Sequence, residues 1–143
     1  MAGKKYLYLG SRDESYRINK DSIVYFETDG NYTRFVLCSK QEGMIAVNLG
    51  KVDDILAEEL GSDAQIFIRA SRKYIINWSY LYRICVLKGF LILSDGFNFE
   101  FKLKVPSTRL RQLKDLLEQG RNKYLPGKHE STSATDRKEK AET

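Results

Sequence analysis

One histidine and two cysteines among 143 residues leave little material for metal or nucleophilic chemistry. The histidine, His129, has no His, Cys or paired acid near it in the sequence. Cys38 and Cys85 lie far apart, each inside an apolar run, which suits core thiols better than a disulfide or a metal site. There is no Gly-rich phosphate loop, and in the segment expected to fold no nucleophile has a histidine nearby, so catalysis, a metal and a cofactor are not expected. No apolar run reaches 18 residues, and the basic start at Lys4 and Lys5 is not followed by the apolar stretch of roughly 7 to 15 residues that a signal peptide needs. Membrane insertion and export are therefore not expected, and the location read from the sequence is cytoplasmic. Without export, Asn31-Tyr32-Thr33 and Asn77-Trp78-Ser79 carry no meaning as glycosylation acceptors.

Acid is the other thing missing, and it is missing locally. Between Asp63 and Asp95 the charged residues are Arg69, Arg72, Lys73, Arg83 and Lys88. From Lys102 to Lys114 they are Lys102, Lys104, Arg109, Arg111 and Lys114. Acids gather instead at Asp53, Asp54, Glu58 and Glu59. With a net charge of +5, the chain should present a basic side suited to an anionic partner.

What is present is the material of a mainly-β domain. Apolar content of 42% supports a core, and the length suits one domain with a tail. Short apolar runs recur at Tyr6 to Leu9, Ser15 to Ile18, Ile23 to Glu27, Tyr32 to Cys38 and Met44 to Val47. They return at Gln65 to Arg69, Tyr74 to Asn77, Leu81 to Leu87, Phe90 to Leu93 and Phe97 to Leu103. Asp29-Gly30-Asn31, Lys88-Gly89 and Asp95-Gly96 are turn signals between runs, the last two joining three strands into a meander. Two helices interrupt the pattern. Val52, Ile55, Leu56 and Leu60 form an apolar stripe over Lys51 to Leu60, stopped by Gly61. Leu110, Leu113, Leu116 and Leu117 form another over Arg109 to Glu118, introduced by Pro106, Ser107 and Thr108 and ended by Gly120. Composition then turns polar, so residues 1–118 are expected to be the domain and residues 119–143 a disordered polar tail.

Three segments carry candidate function. In Tyr25 to Arg34, a strand, a polar turn and a return strand bring up Asn31, Thr33 and Arg34, whose amide, hydroxyl and guanidinium groups suit phosphates or base edges. In Phe67 to Asn77, apolar residues flank Ser71-Arg72-Lys73, where Arg72 suits a bidentate pairing with guanine and Lys73 a phosphate. In Lys102 to Arg111, a basic strand runs into a helix start. Ser107 and Thr108 suit capping there, and Arg109 and Arg111 oppose the helix dipole unless an anion is bound.

Ile23-Val24-Tyr25-Phe26-Glu27 ahead of Gly30-Asn31-Tyr32 resembles the first signature of LytTR DNA-binding domains. Phe67-x-Arg69 followed by Tyr74-Ile75-Ile76-Asn77 resembles the second, and the basic strand before a Leu-rich final helix the third, in order across residues 5 to 118. The resemblance implies an elongated stack of antiparallel β-sheets with two short helices, which regulates transcription by inserting loops into successive major grooves of double-stranded DNA. It puts base contacts on Thr33 or its neighbours, on Ser71 and Arg72, and on Thr108 or Arg109. Phosphate contacts fall on Arg34, Lys73, Lys104 and Arg111. Ser71 replaces the usual histidine, Lys73 the usual serine, and Val105-Pro106-Ser107 stands for Val-Ser-Arg, so the operator does not transfer from relatives. A homodimer on repeated sites and a separate inhibitory protein are further expected partners, with no receiver domain in the same chain. The alternatives are a protein-interaction module that kept the fold but lost specific DNA binding, and a single-strand or RNA binder stacking bases on Tyr32, Tyr74 and Phe90, which more naturally fill the core.

Overall fold

The computed structural model describes residues 5–124, and side chains through residue 119. The expected disordered tail began at residue 119, but residues 119–124 continue the last helix; the remainder, with His129, lies outside the described residues. The chain divides into two units, one reaching Leu110 and the other starting at Arg111.

All ten apolar runs are strands of the first unit. β1 (Tyr6–Gly10) pairs with β2 (Ser15–Asn19) in a two-stranded ribbon. β3 (Ile23–Asp29), β4 (Tyr32–Leu37), β5 (Glu42–Ile45), β6 (Phe67–Arg69) and β7 (Tyr74–Asn77) form an antiparallel sheet in the order β5-β4-β3-β7-β6. β8 (Leu81–Cys85), β9 (Phe90–Ser94) and β10 (Glu100–Lys104) form the meander, in the order β10-β9-β8. α1 spans Leu49–Leu60 and α2 spans Ser107–Tyr124.

The central strand β3 shows why the middle sheet holds. Its first four residues are all buried, because both faces of the strand are covered. Phe26 and its partner Ile75 face a core shared with Leu7, Leu9, Phe35, Val52 and Leu56, from the ribbon, β4 and α1. Tyr25 points to the other face, edge-on to Tyr74 at 5.8 Å and to Phe101 of β10 at 5.5 Å, tying the five-stranded sheet to the three-stranded one. Asn77 is fully buried with its amide satisfied, Nδ2 donating to the Ile23 carbonyl at 2.8 Å and Oδ1 accepting from Ser79 N–H at 2.9 Å. Gly43 faces Phe35 across the sheet, and a Cβ there would lie 2.2 Å from the Phe35 ring.

Several boundaries differ from the sequence reading for local reasons. The Asn48 side chain accepts the Lys51 N–H, starting α1 at Leu49, and Gly61, at φ 58°, stops it as expected. β10 begins at Glu100 because the amides of Phe97, Asn98 and Phe99 bond to the Asp95 carboxylate instead of a neighbouring strand. α2 starts at Ser107 and passes through Gly120 to Tyr124, since an interior glycine costs a helix about 1 kcal/mol without breaking it. Within the second unit, Lys114 and Glu118 pair one turn apart at 2.7 Å. Leu113 is buried, but Leu116 and Leu117 of the expected apolar stripe are exposed. The cysteines are not core thiols. Cys85 lies on the edge strand β8 and Cys38 just past β4, and both are part-exposed and unbridged.

Candidate nucleic-acid interface

The β3–β4 hairpin turns on Gly30 and Asn31, with Asp29 opposite Tyr32. Gly30 sits at φ 65° while Asn31 keeps a negative φ, the two-residue pattern that favours glycine first. Asn31 and Tyr32 are exposed at this tip. Thr33 is not available: it is fully buried, and its hydroxyl donates to the Val47 carbonyl at 2.8 Å, so its expected base contact is corrected to a structural role. Arg34 is likewise committed. Its guanidinium bonds to Glu27 and lies 3.3 Å from Glu42, while Lys73 reaches Glu27 at 3.4 Å. Two cations thus face two carboxylates, which corrects the view of Arg34 as a side chain held out for phosphate. Lys73 keeps more than half its side chain in solvent and remains accessible.

Arg69 organises the β6–β7 turn. Its Nε donates to the Ser71 carbonyl at 2.8 Å, its second guanidinium nitrogen to the Arg72 carbonyl at 3.4 Å, and its third lies 3.0 Å from Asp53 of α1. Ser71 Oγ accepts the Lys73 N–H at 3.1 Å, closing the turn from inside. Arg72 projects from this braced loop, exposed, and pairs with no carboxylate among the described residues. The turn abuts the first segment, because the Lys73 carbonyl accepts the Thr28 N–H at 2.9 Å.

The third segment joins the second. Arg109 donates to the Arg69 carbonyl at 2.7 Å, an acceptor that offsets the positive charge it brings to the first turn of α2. Ser107 Oγ donates to the Val86 carbonyl at 2.9 Å, so this hydroxyl anchors the helix start to the β8–β9 turn. Thr108 is exposed beside it. Lys104, at the end of β10, is exposed and unpaired among the described residues, as is Arg111, which belongs to the second unit. A continuous rim within the first unit therefore runs from the β3–β4 tip through the β6–β7 turn and the start of α2 to the β8–β9 turn.

The sequence reading missed Arg69 as a positioning residue, although its place in the Phe-x-Arg motif was the signal for it. Of the proposed stacking aromatics, Tyr74 and Phe90 are buried as expected, whereas Tyr32 is 50% exposed. Tyr25 and Asp95 are among the groups whose ionisation is shifted. Burial between the two sheets raises the Tyr25 hydroxyl, partly countered by Arg34. Backbone amides led by Phe97 hold the Asp95 carboxyl down at about 2. Neither group lies on the rim's cationic turns.

Exposed cations on adjoining turns of a mainly-β scaffold, with no carboxylate in the sequence from the β6–β7 turn through β9, form the electrostatic footprint of a nucleic-acid-binding surface. The comparison with known families makes the class specific. The family of LytTr DNA-binding domains matches residues 13–118, and the chain belongs to it. A solved LytTr DNA-binding domain from Bacillus cereus shares the fold at a TM-score of 0.56 and 20% identity, covering 80% of this chain and 98% of that one. No curated protein matches the chain. DNA binding in the service of transcription regulation follows from the family. No helix among the described residues is long and apolar enough to cross a membrane.

Proposed function

We propose that residues 1–118 bind duplex DNA sequence-specifically, reading the major groove through the β6–β7 turn and the start of α2. The observation that carries this is the Arg69 brace, which fixes the backbone of Ser71 and Arg72 and leaves the Arg72 side chain exposed, with no carboxylate paired to it among the described residues. A pre-positioned arginine suits the two acceptors of guanine, and its low entropy cost on binding favours discrimination. Asn31, Ser71, Thr108 and Arg109 are the other groups near base edges on this reading, and Lys73, Lys104 and Arg111 meet phosphates. On this reading the polar sequence after residue 118 takes no part in the interface. The partner is cytoplasmic double-stranded DNA, with two copies of the chain on repeated half-sites and a separate protein able to inhibit them.

Selection of duplexes from a random library by the purified chain tests the reading, followed by titration of enriched and scrambled sites at several salt concentrations. An enriched, repeated motif bound with a steep salt slope supports it. Weak binding without any enriched motif overturns it in favour of an interaction module that kept the fold.

A further inference from the structure

Leu87 is 92% exposed, which removes it from any role in the core. A lone exposed leucine carries no meaning by itself. Its setting does. Leu87 lies in the four-residue β8–β9 turn, between the paired residues Cys85 and Phe90. That turn is stiff: Gly89, at φ 77°, donates to the Cys85 carbonyl at 3.0 Å, its own carbonyl accepts Val105 N–H at 3.1 Å, and Ser107 holds the Val86 carbonyl. The surroundings are cationic in the turn and on both strands that flank β9. Lys88 is the next residue, Lys104 pairs opposite Phe90, and Lys102 Nζ and the Arg83 guanidinium lie 4.4 and 5.3 Å from the centre of the Phe90 ring. The acids of this sheet, Asp95 and Glu100, are at its other end.

An exposed apolar side chain on a backbone-braced turn, with four cations on that turn and the strands flanking β9, joined to the candidate interface through Ser107, suits an apolar feature inside an anionic surface. Duplex DNA offers one to a hairpin-sized probe. The major groove is roughly 12 Å wide and admits a two-stranded ribbon, whereas the minor groove, at about 6 Å, does not, and its apolar landmark is the thymine methyl group. We infer that Leu87 packs on a thymine methyl in the major groove, with Lys88 and Lys104 on the flanking phosphates. This rests on the DNA-binding reading above and adds a base-discriminating residue that makes no hydrogen bond.

The test uses the full chain and the duplex it selects from a random library, with each thymine replaced in turn by uracil, which removes the methyl alone. Leu87→Ser is expected to leave the melting temperature unchanged, weaken the selected site about tenfold and keep the salt slope, because an apolar contact releases no counterion. At one thymine position, uracil is expected to weaken the wild type severalfold and Leu87→Ser no further. Wild-type affinity in Leu87→Ser, or uracil costs identical in both proteins at every thymine, overturns the inference while leaving the DNA reading standing. A wild type that selects no duplex overturns the DNA reading, and the inference with it.

Discussion

The three-stranded sheet ends in two tips of opposite character. At the β8–β9 tip, backbone bonds and Ser107 hold the turn, and the side chains of Leu87 and Lys88 are left to solvent. At the β9–β10 tip, Asp95 accepts from three backbone amides and from Asn98 Nδ2, and Ser94 Oγ accepts the Gly96 N–H. That tip exposes Phe97 at 91% beside acids, where its counterpart exposes Leu87 beside cations. The same hairpin plan thus uses its polar side chains in two ways: one tip turns its acid inward to fix its own backbone, the other keeps its charges for a partner. The basic tip continues into the rim that includes the β6–β7 turn, and the acidic tip lies at the far end of the strands.

Substitutions in the rim should break this asymmetry most. Arg72→Ala is expected to cost about 1 to 3 kcal/mol on the selected duplex and much less on a scrambled one, read by equilibrium titration of both. Next comes Arg69→Met, which keeps bulk but removes the bonds to the Ser71 and Arg72 carbonyls. We expect about 1 kcal/mol lost in site preference with a small change in melting temperature, because the Asp53 pair it also breaks is half-exposed. Smaller still, Lys88→Ala and Lys104→Ala should each weaken all duplexes alike and reduce the salt slope by about one, whereas Phe97→Ser at the acidic tip should leave affinity and slope unchanged. A matching loss from Phe97→Ser would erase the distinction between the tips.

The smallest effect concerns the acidic tip alone. Hydrogen bonds keep the Asp95 carboxyl at about 2, below its ordinary 3.8, so the folded state favours the charged form. A group depressed in this way stabilises the fold above its unfolded value and loses that contribution as pH falls from 3.8 through about 2. Asp95→Asn should therefore lower the melting temperature slightly at pH 7, flatten its decline between pH 4 and 2, and leave duplex affinity unchanged. Thermal melts of both proteins across that range check it.

The strands were legible because each apolar run is short and bounded by Gly, Asp or Lys-Gly turns, and because a domain with both faces of β3 covered shows its centre as an unbroken apolar stretch. The site was legible in part. Arg72, Lys73 and Lys104 are exposed where an acid-free stretch put them. Thr33 was misread although the signal was present: residues two apart share a strand face, and Phe35, two positions on, belongs inside. Arg34 could have been placed from the Gly30-Asn31 turn, since a two-residue loop sets Glu27 opposite Arg34. The link from Arg109 to Arg69 was not legible, because it joins residues 40 positions apart through a backbone carbonyl. The exposed Leu87 was hidden within an apolar run that reads as strand through to its end.

The measurement that bears most directly on the asymmetry is an amide chemical-shift map of the labelled chain during titration with the selected duplex. Shifts concentrated at residues 70–73, 86–89 and 104–109, with residues 95–99 unmoved, are the expected result. Shifts centred on residues 95–99 or on α1, with the basic turns unmoved, would contradict it.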